Sequence, residues 1–199
     1  ARMNRRQFLA GALGALAGQY LKRCTLELGG HAPFIVCDDV DVEAVAALGA
    51  GLKFRNGGQI CASPTRFYVQ SAVYEQFVAA FCRAGAALKM GDGQDPASQL
   101  GPLANPRRVA AVQEYVDDAL AVGAQLALGG EGGEGVEGDG FFYPATVLTD
   151  VPENARVMSE EPFGPIASIV RFDSLDEVIG KANSLPFGLA AFAFTRSIQ

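Results

Sequence analysis

PFIVCDDVDVEAVAALGAGLKFRNGGQICASPTRFYV, Pro33 to Val69, decides the fold. Its first five residues, Pro33 to Cys37, form a short apolar run that reads as a strand. Asp38, Asp39 and Asp41 then offer helix caps, and Val42, Val45, Leu48 and Leu52 recur at helical spacing up to about Asn56. Gly49 and Gly51 inside that helix cost about 1 kcal/mol each relative to alanine, so close packing is expected at both. Arg66 to Gln70, RFYVQ, reads as a second strand. Strand, helix and strand in this order make a parallel crossover unit, which returns the chain to the same end of a sheet.

Working outward, CTLELG (Cys24 to Gly29) reads as another strand, joined to Pro33–Cys37 by a Gly-Gly turn. Ser71 can cap a helix whose apolar face carries Tyr74, Phe77, Val78 and Phe81, with Cys82 on the core side. Asn105-Pro106 is a cap followed by proline at the first helical position, and Val109, Val112, Val116 and Leu120 continue that helix until Gly123 stops it. Strands are expected around Gln125 to Leu128, Phe141 to Leu148, Ile166 to Phe172 and Leu189 to Thr195, with a helix at about Leu175 to Asn183 capped by Asp173 or Ser174. Gly130 to Gly135 formally fits G-x-G-x-x-G, but Glu131 and Glu134 would repel a pyrophosphate, so Gly129 to Gly140 reads as an acidic loop. The fold class is therefore α/β, a mainly parallel sheet with helices on both faces.

A chain of 199 residues, 49% hydrophobic, fits one well-buried core and is short for two. Its net charge of -6 argues against nucleic acid as a partner, since phosphate binding needs clustered Lys and Arg. Cys24, Cys37, Cys61 and Cys82 form no C-x-x-C pair, which argues against zinc, and their scatter is unlike a secreted disulfide framework. A reducing cytoplasm is the expected compartment, and Cys24 and Cys37 read as strand core thiols. The segment Met3 to Gly18 has two readings. One is an Ala/Leu-rich helix packed on the sheet, which is preferred here; the other is a twin-arginine export signal built on Arg5-Arg6, with Ala15-Leu16-Ala17 as cleavage site. It is too short to span a bilayer, and no membrane partner is expected.

Three polar residues interrupt the apolar pattern: Glu27 in LELGG, Cys61 in GQICASP and Glu161 in EEPFGP. A carboxylate between strand leucines must be paired, hydrogen-bonded or protonated if buried, which would suit Glu27 to act as a general base. Cys61 sits in a glycine-rich turn rather than a periodic apolar run, where a thiol is accessible and nucleophilic. It follows Glu27 by thirty-four positions, one crossover unit away. His31, the sole histidine, reads as a turn or surface residue, and the Asp38-Asp39-Asp41 cluster as a helix N-terminus rather than a metal site.

LELGGHAPFIV, FRNGGQICASPTRFYV, SEEPFGPIASIVRF and NSLPFGLAAFAFTRS resemble, in order and spacing, the catalytic-domain motifs of the NAD(P)-dependent aldehyde dehydrogenase superfamily. The resemblance covers about Gly18 to Gln199, and its KFRN, SPTRF and GGHAP surroundings look most like the semialdehyde dehydrogenases. It implies that Cys61 attacks an aldehyde carbon and that Glu27 activates the water that hydrolyses the resulting thioester. It also implies that the Cys61 amide holds the oxyanion, that Glu161 holds the nicotinamide ribose hydroxyls of NAD or NADP, and that Phe163 packs beside that ribose. In the family the dinucleotide fold precedes LELGG, and further strands and an oligomerisation segment follow FTRS. The expectation is a partial catalytic domain over residues 1–199 with an incomplete cofactor site, binding NAD poorly on its own. Two other readings accompany it: a non-enzymatic interaction module, and a cofactor-free thiol esterase.

Overall fold

The computed structural model describes residues 5–26, 28–131 and 140–197, without the side chains of residues 5–7. Glu27 and residues 132–139, most of the acidic loop, therefore lie outside the described residues. Among those described, the elements are α1 (Arg5–Gln19), β1 (Ala32–Val36), α2 (Val42–Phe54), β2 (Pro64–Gln70), α3 (Tyr74–Ala86), α4 (Pro106–Ala121), β3 (Gln125–Leu128), β4 (Thr146–Thr149), α5 (Arg156–Ser159), β5 (Ile166–Phe172), α6 (Leu175–Ala182) and β6 (Phe192–Phe194). The strands form one sheet in the order β3-β4-β5-β2-β1-β6. Every neighbouring pair is parallel except β3 with β4.

Side chains alternate along the strands and so divide the core in two. Phe34 and Val36 of β1, Phe67 and Val69 of β2, and Ala167 and Ile169 of β5 pack with α2 and α3. Tyr68, Ile166 and Phe172 point the other way, against Val112 and Val116 of α4, Val157 of α5 and Val178 of α6. Both faces are covered, as a parallel sheet requires.

Local chemistry explains the helix ends. The Asp41 carboxylate accepts from the Ala44 amide, the Asn105 side chain from Arg108 and the Ser174 hydroxyl from Glu177, so each supplies an acceptor for an unpaired first-turn amide. Ser71 does not cap α3. It begins a short 3-10 turn, and its hydroxyl donates to Asp173 across the sheet edge instead.

Several expectations need correction. Residues 24–26, 28 and 29 form no strand, and Cys24 is exposed rather than a core thiol. The buried stripe of α2 runs through Val42, Val45, Ala46, Gly49, Ala50 and Lys53, while Leu48 is 49% exposed. Close packing is present at Gly49, where an added Cβ would meet Phe34 and Phe81 at 3.1 and 3.3 Å, but absent at Gly51, which faces open space. Two of the expected strands are shorter than read: the one expected over Phe141 to Leu148 is Thr146–Thr149, and the last is Phe192–Phe194. Helix α1 forms, but Phe8, Leu9, Leu13 and Leu16 are each about half exposed, so it is not packed on the sheet. Among the described residues, no helix is long and apolar enough to cross a membrane.

Candidate active site

Four loops lead into the amino ends of four adjacent strands: the Gly29-Gly30 turn into β1, the Cys61 turn into β2, the Glu161–Pro165 loop into β5 and the loop after α6 into β6. Parallel crossovers bring these residues, far apart in sequence, to one edge.

The turn that carries Cys61 is built by backbone geometry. Asn56, Gly57 and Gly58 follow one another in the left-handed region, with φ of 52°, 62° and 69°. Asparagine and glycine are the residues that adopt it at least cost. The Gln59 side-chain amide donates to the Asn56 carbonyl at 3.1 Å, Asn56 donates back to the Gln59 carbonyl at 3.2 Å, and Gln59 Oε1 accepts from the Ala104 amide at 2.9 Å. The Ser63 amide closes the turn on the Ile60 carbonyl at 2.9 Å. Cys61 is left half-buried with a free thiol.

Missing side chains let the loops meet. An added Cβ on Gly30 would fall 2.2 Å from the Cys61 carbonyl oxygen and 3.3 Å from Leu189 Cδ2; on Gly58 it would fall 2.1 Å from the Gly164 carbonyl oxygen. The Gly30 amide donates to Glu161 Oε1 at 3.0 Å, and a Cβ on Gly29 would lie 2.4 Å from Glu161 Oε2. Glu161 and the main chain of Cys61 thus both abut the Gly-Gly turn that follows Glu27. Phe163 also has positive φ, 41°, a conformation costly for an aromatic residue, and the Arg108 guanidinium lies 5.8 Å from its ring centre.

Three residues not singled out as functional frame this edge. His31 is 2% exposed, not a surface residue; its Nδ1 lies 2.6 Å from Thr65 Oγ1 and Phe187 meets its ring edge-on. Burial, reinforced by the Arg66 charge, pushes its pKa down to about 3, so the ring is neutral at pH 7. Arg66, also buried, donates to the His31 carbonyl through Nε and Nη2, and to the Lys181 and Ala182 carbonyls at the end of α6. Lys53 is completely buried, and burial pushes its pKa down to about 7, with Glu161 opposing. The small residues Ala46, Gly49 and Ala50 were the available signal for Lys53, since they mark the stripe on which it lies.

The aldehyde dehydrogenase family model matches residues 10–199. The chain belongs to the aldehyde dehydrogenase family. This aldehyde dehydrogenase segment is 49% identical over 94% of its length to 4-(hydroxymethyl)benzenesulfonate dehydrogenase TsaD1 of Comamonas testosteroni, covering 38% of that protein. It is 44% identical over 90% of its length to the NADP(+) succinate-semialdehyde dehydrogenase GabD of Escherichia coli, covering 36% of it. Among solved structures, an E. coli NADP-dependent enzyme superposes with a TM-score of 0.89 at 42% identity, over 96% of this chain and 39% of that one. Mycobacterium tuberculosis aldehyde dehydrogenase complexed with NAD+ superposes with a TM-score of 0.87 at 35% identity, again over 96% and 39%. The aldehyde dehydrogenase chain described here thus spans less than two fifths of the length of these relatives.

Proposed function

We propose that this segment is the catalytic domain of an enzyme that oxidises an aldehyde to its carboxylic acid with NAD(P), with Cys61 as nucleophile. The observation that carries the reading is the contact of the Gly-Gly turn with both the Cys61 main chain and the Glu161 carboxylate. The names of relatives favour a semialdehyde: besides the E. coli protein, a glutarate-semialdehyde dehydrogenase of Pseudomonas putida is 43% identical over 90% of this chain.

The Cys61 thiol gives up its proton to solvent and its sulfur bonds to the aldehyde carbon as the carbonyl π bond opens; the Cys61 amide donates to the oxygen that becomes negative, which lowers the barrier as in other acyl transfers. NAD(P), when bound, supplies the acceptor for the hydride that leaves this carbon, so that a thioester on Cys61 remains. Glu27 takes a proton from the water that attacks the thioester; the carbon–sulfur bond breaks, and the acid and the thiol are released. Glu161 and Phe163 would hold the nicotinamide ribose. The residues fit that group: one Glu161 oxygen is held by the Gly30 amide, and the bare Gly29 leaves room at the other, where any Cβ would intrude.

An activated ester tests these roles without a cofactor, because it acylates the same thiol. Nitrophenyl acetate turnover is expected to vanish in Cys61→Ser, and to become a single burst followed by slow release in Glu27→Gln. Unchanged steady-state turnover in both variants would defeat the proposal.

A further inference from the structure

Arg108 is a charged residue beside the site that the reaction above does not use. It stands in the first turn of α4, where Pro106 opens the helix and the Asn105 side chain accepts from the Arg108 amide at 3.0 Å, so its backbone is fixed. Arg108, Val112 and Tyr115 follow one another at helical spacing and share one face of α4. That face runs along the loop between α5 and β5. The Tyr115 hydroxyl donates to Glu160 Oε2 at 3.1 Å, and an added Cβ on Gly164 would fall 2.5 Å from Val112 Cγ2. Arg108 reaches two residues between them. Its Nη1 donates to the Pro162 carbonyl over a long 3.5 Å, and its guanidinium carbon lies 5.8 Å from the centre of the Phe163 ring. Both contacts fall on the peptide that leads into Phe163, whose φ of 41° is unfavourable for an aromatic residue and persists only where its surroundings enforce it. One residue further, the Gly164 carbonyl oxygen would lie 2.1 Å from a Cβ on Gly58, in the turn that carries Cys61.

We propose that Arg108 is a positioning residue for the loop that carries Glu161 and Phe163. Its guanidinium holds the Pro162–Phe163 peptide in the left-handed conformation, and so sets the Phe163 ring and the Gly164 carbonyl against the Cys61 turn. Each contact is weak by itself, but both act on one peptide that relaxes toward negative φ when they are lost. The grip on the loop follows from these contacts alone; its consequence for NAD(P) rests on the role given to Phe163 above.

The test begins with NMR of the chain labelled with carbon-13 at phenylalanine Cα and Cβ, whose shifts follow the backbone angles. In Arg108→Met the Phe163 signals are expected to move toward values for negative φ, while those of Phe172 in β5 stay in place. Phe163 signals that do not move overturn the proposal. A second arm uses urea unfolding, since glycine takes a positive φ without strain and has no ring to hold. Arg108→Met should lower the urea midpoint in the wild-type chain and by less than half as much in Phe163→Gly; equal losses in the two backgrounds also overturn it. In an aldehyde dehydrogenase assay, Arg108→Met should raise the KM for NAD(P) several-fold with a smaller change in kcat. Arg108→Lys, which keeps the charge without the planar fork, should restore part of that loss. Moved Phe163 signals with an unmoved KM support the positioning and remove the cofactor role from Phe163.

Discussion

At Gly30 an added methyl would sit 2.2 Å from the Cys61 carbonyl oxygen, a backbone atom with no rotamer to yield. Gly30→Ala is therefore expected to push the Cys61 turn outward, costing about 1–3 kcal/mol in urea unfolding and at least about tenfold in ester acylation. Gly51→Ala is the contrasting case. It lies inside α2, faces open space and has no positive φ, so alanine should stabilise by about 0.5–1 kcal/mol in the same measurement. His31 gives a pH signature whose sign can be worked out. Its pKa falls from 6.5 in the unfolded chain to about 3 in the folded one, so the unfolded state binds more protons between these values. Its contribution is complete above pH 6.5 and is lost as pH falls toward 3. His31→Gln should flatten that part of a stability–pH curve, and an unaltered slope would show that His31 is not the buried neutral base described here. That burial was not legible in GGHAP, because it comes from Thr65 and Phe187, which are close in space and distant in sequence.

The crossover unit was legible because strand, cap, helical period and glycine turn agree from Pro33 to Val69, each a local signal. The Leu-x-Leu alternation of CTLELG looked equally local, but residues around Glu27 join no sheet, and a two-residue period cannot report the absence of a partner strand. Within α2, counting large residues put Leu48 on the buried face, whereas the packed stripe uses Ala46, Gly49 and Ala50 to bring the helix close to Phe34 and Phe81. Buried Lys53 rides on that stripe. Arg66 operates between elements: its guanidinium satisfies carbonyls at the end of α6 and at His31, tying the loop before β6 to the loop before β1. Arg66→Met would leave buried carbonyls unpaired at about 1–3 kcal/mol each. The expected result is faster hydrogen exchange at the end of α6 and in residues 183–189 than in α2; a uniform loss of protection would mean that Arg66 is not a local clamp.

Four loops reach one edge of the sheet because parallel strands deliver their amino ends together, and the same topology keeps the helices on both faces out of the way. One crossover led the sequence to expect Cys61 beside Glu27. Glu27 lies outside the described residues, but the Cys61 main chain does meet the neighbouring Gly30, and the convergence extends to Glu161 and to Leu189. The sheet's stability should not depend on α1, whose apolar residues face outward. Leu13→Gln with Leu16→Gln is expected to change urea unfolding of the chain by less than about 0.5 kcal/mol, as for exposed positions generally. The central claim concerns one sulfur among four free thiols, of which Cys24 is the most exposed. Mass-spectrometric mapping of the acyl group after brief treatment of Glu27→Gln with nitrophenyl acetate tests it most directly. The account predicts the acyl group on the peptide carrying Cys61; its accumulation on Cys24, Cys37 or Cys82, with Cys61 unmodified, would contradict it.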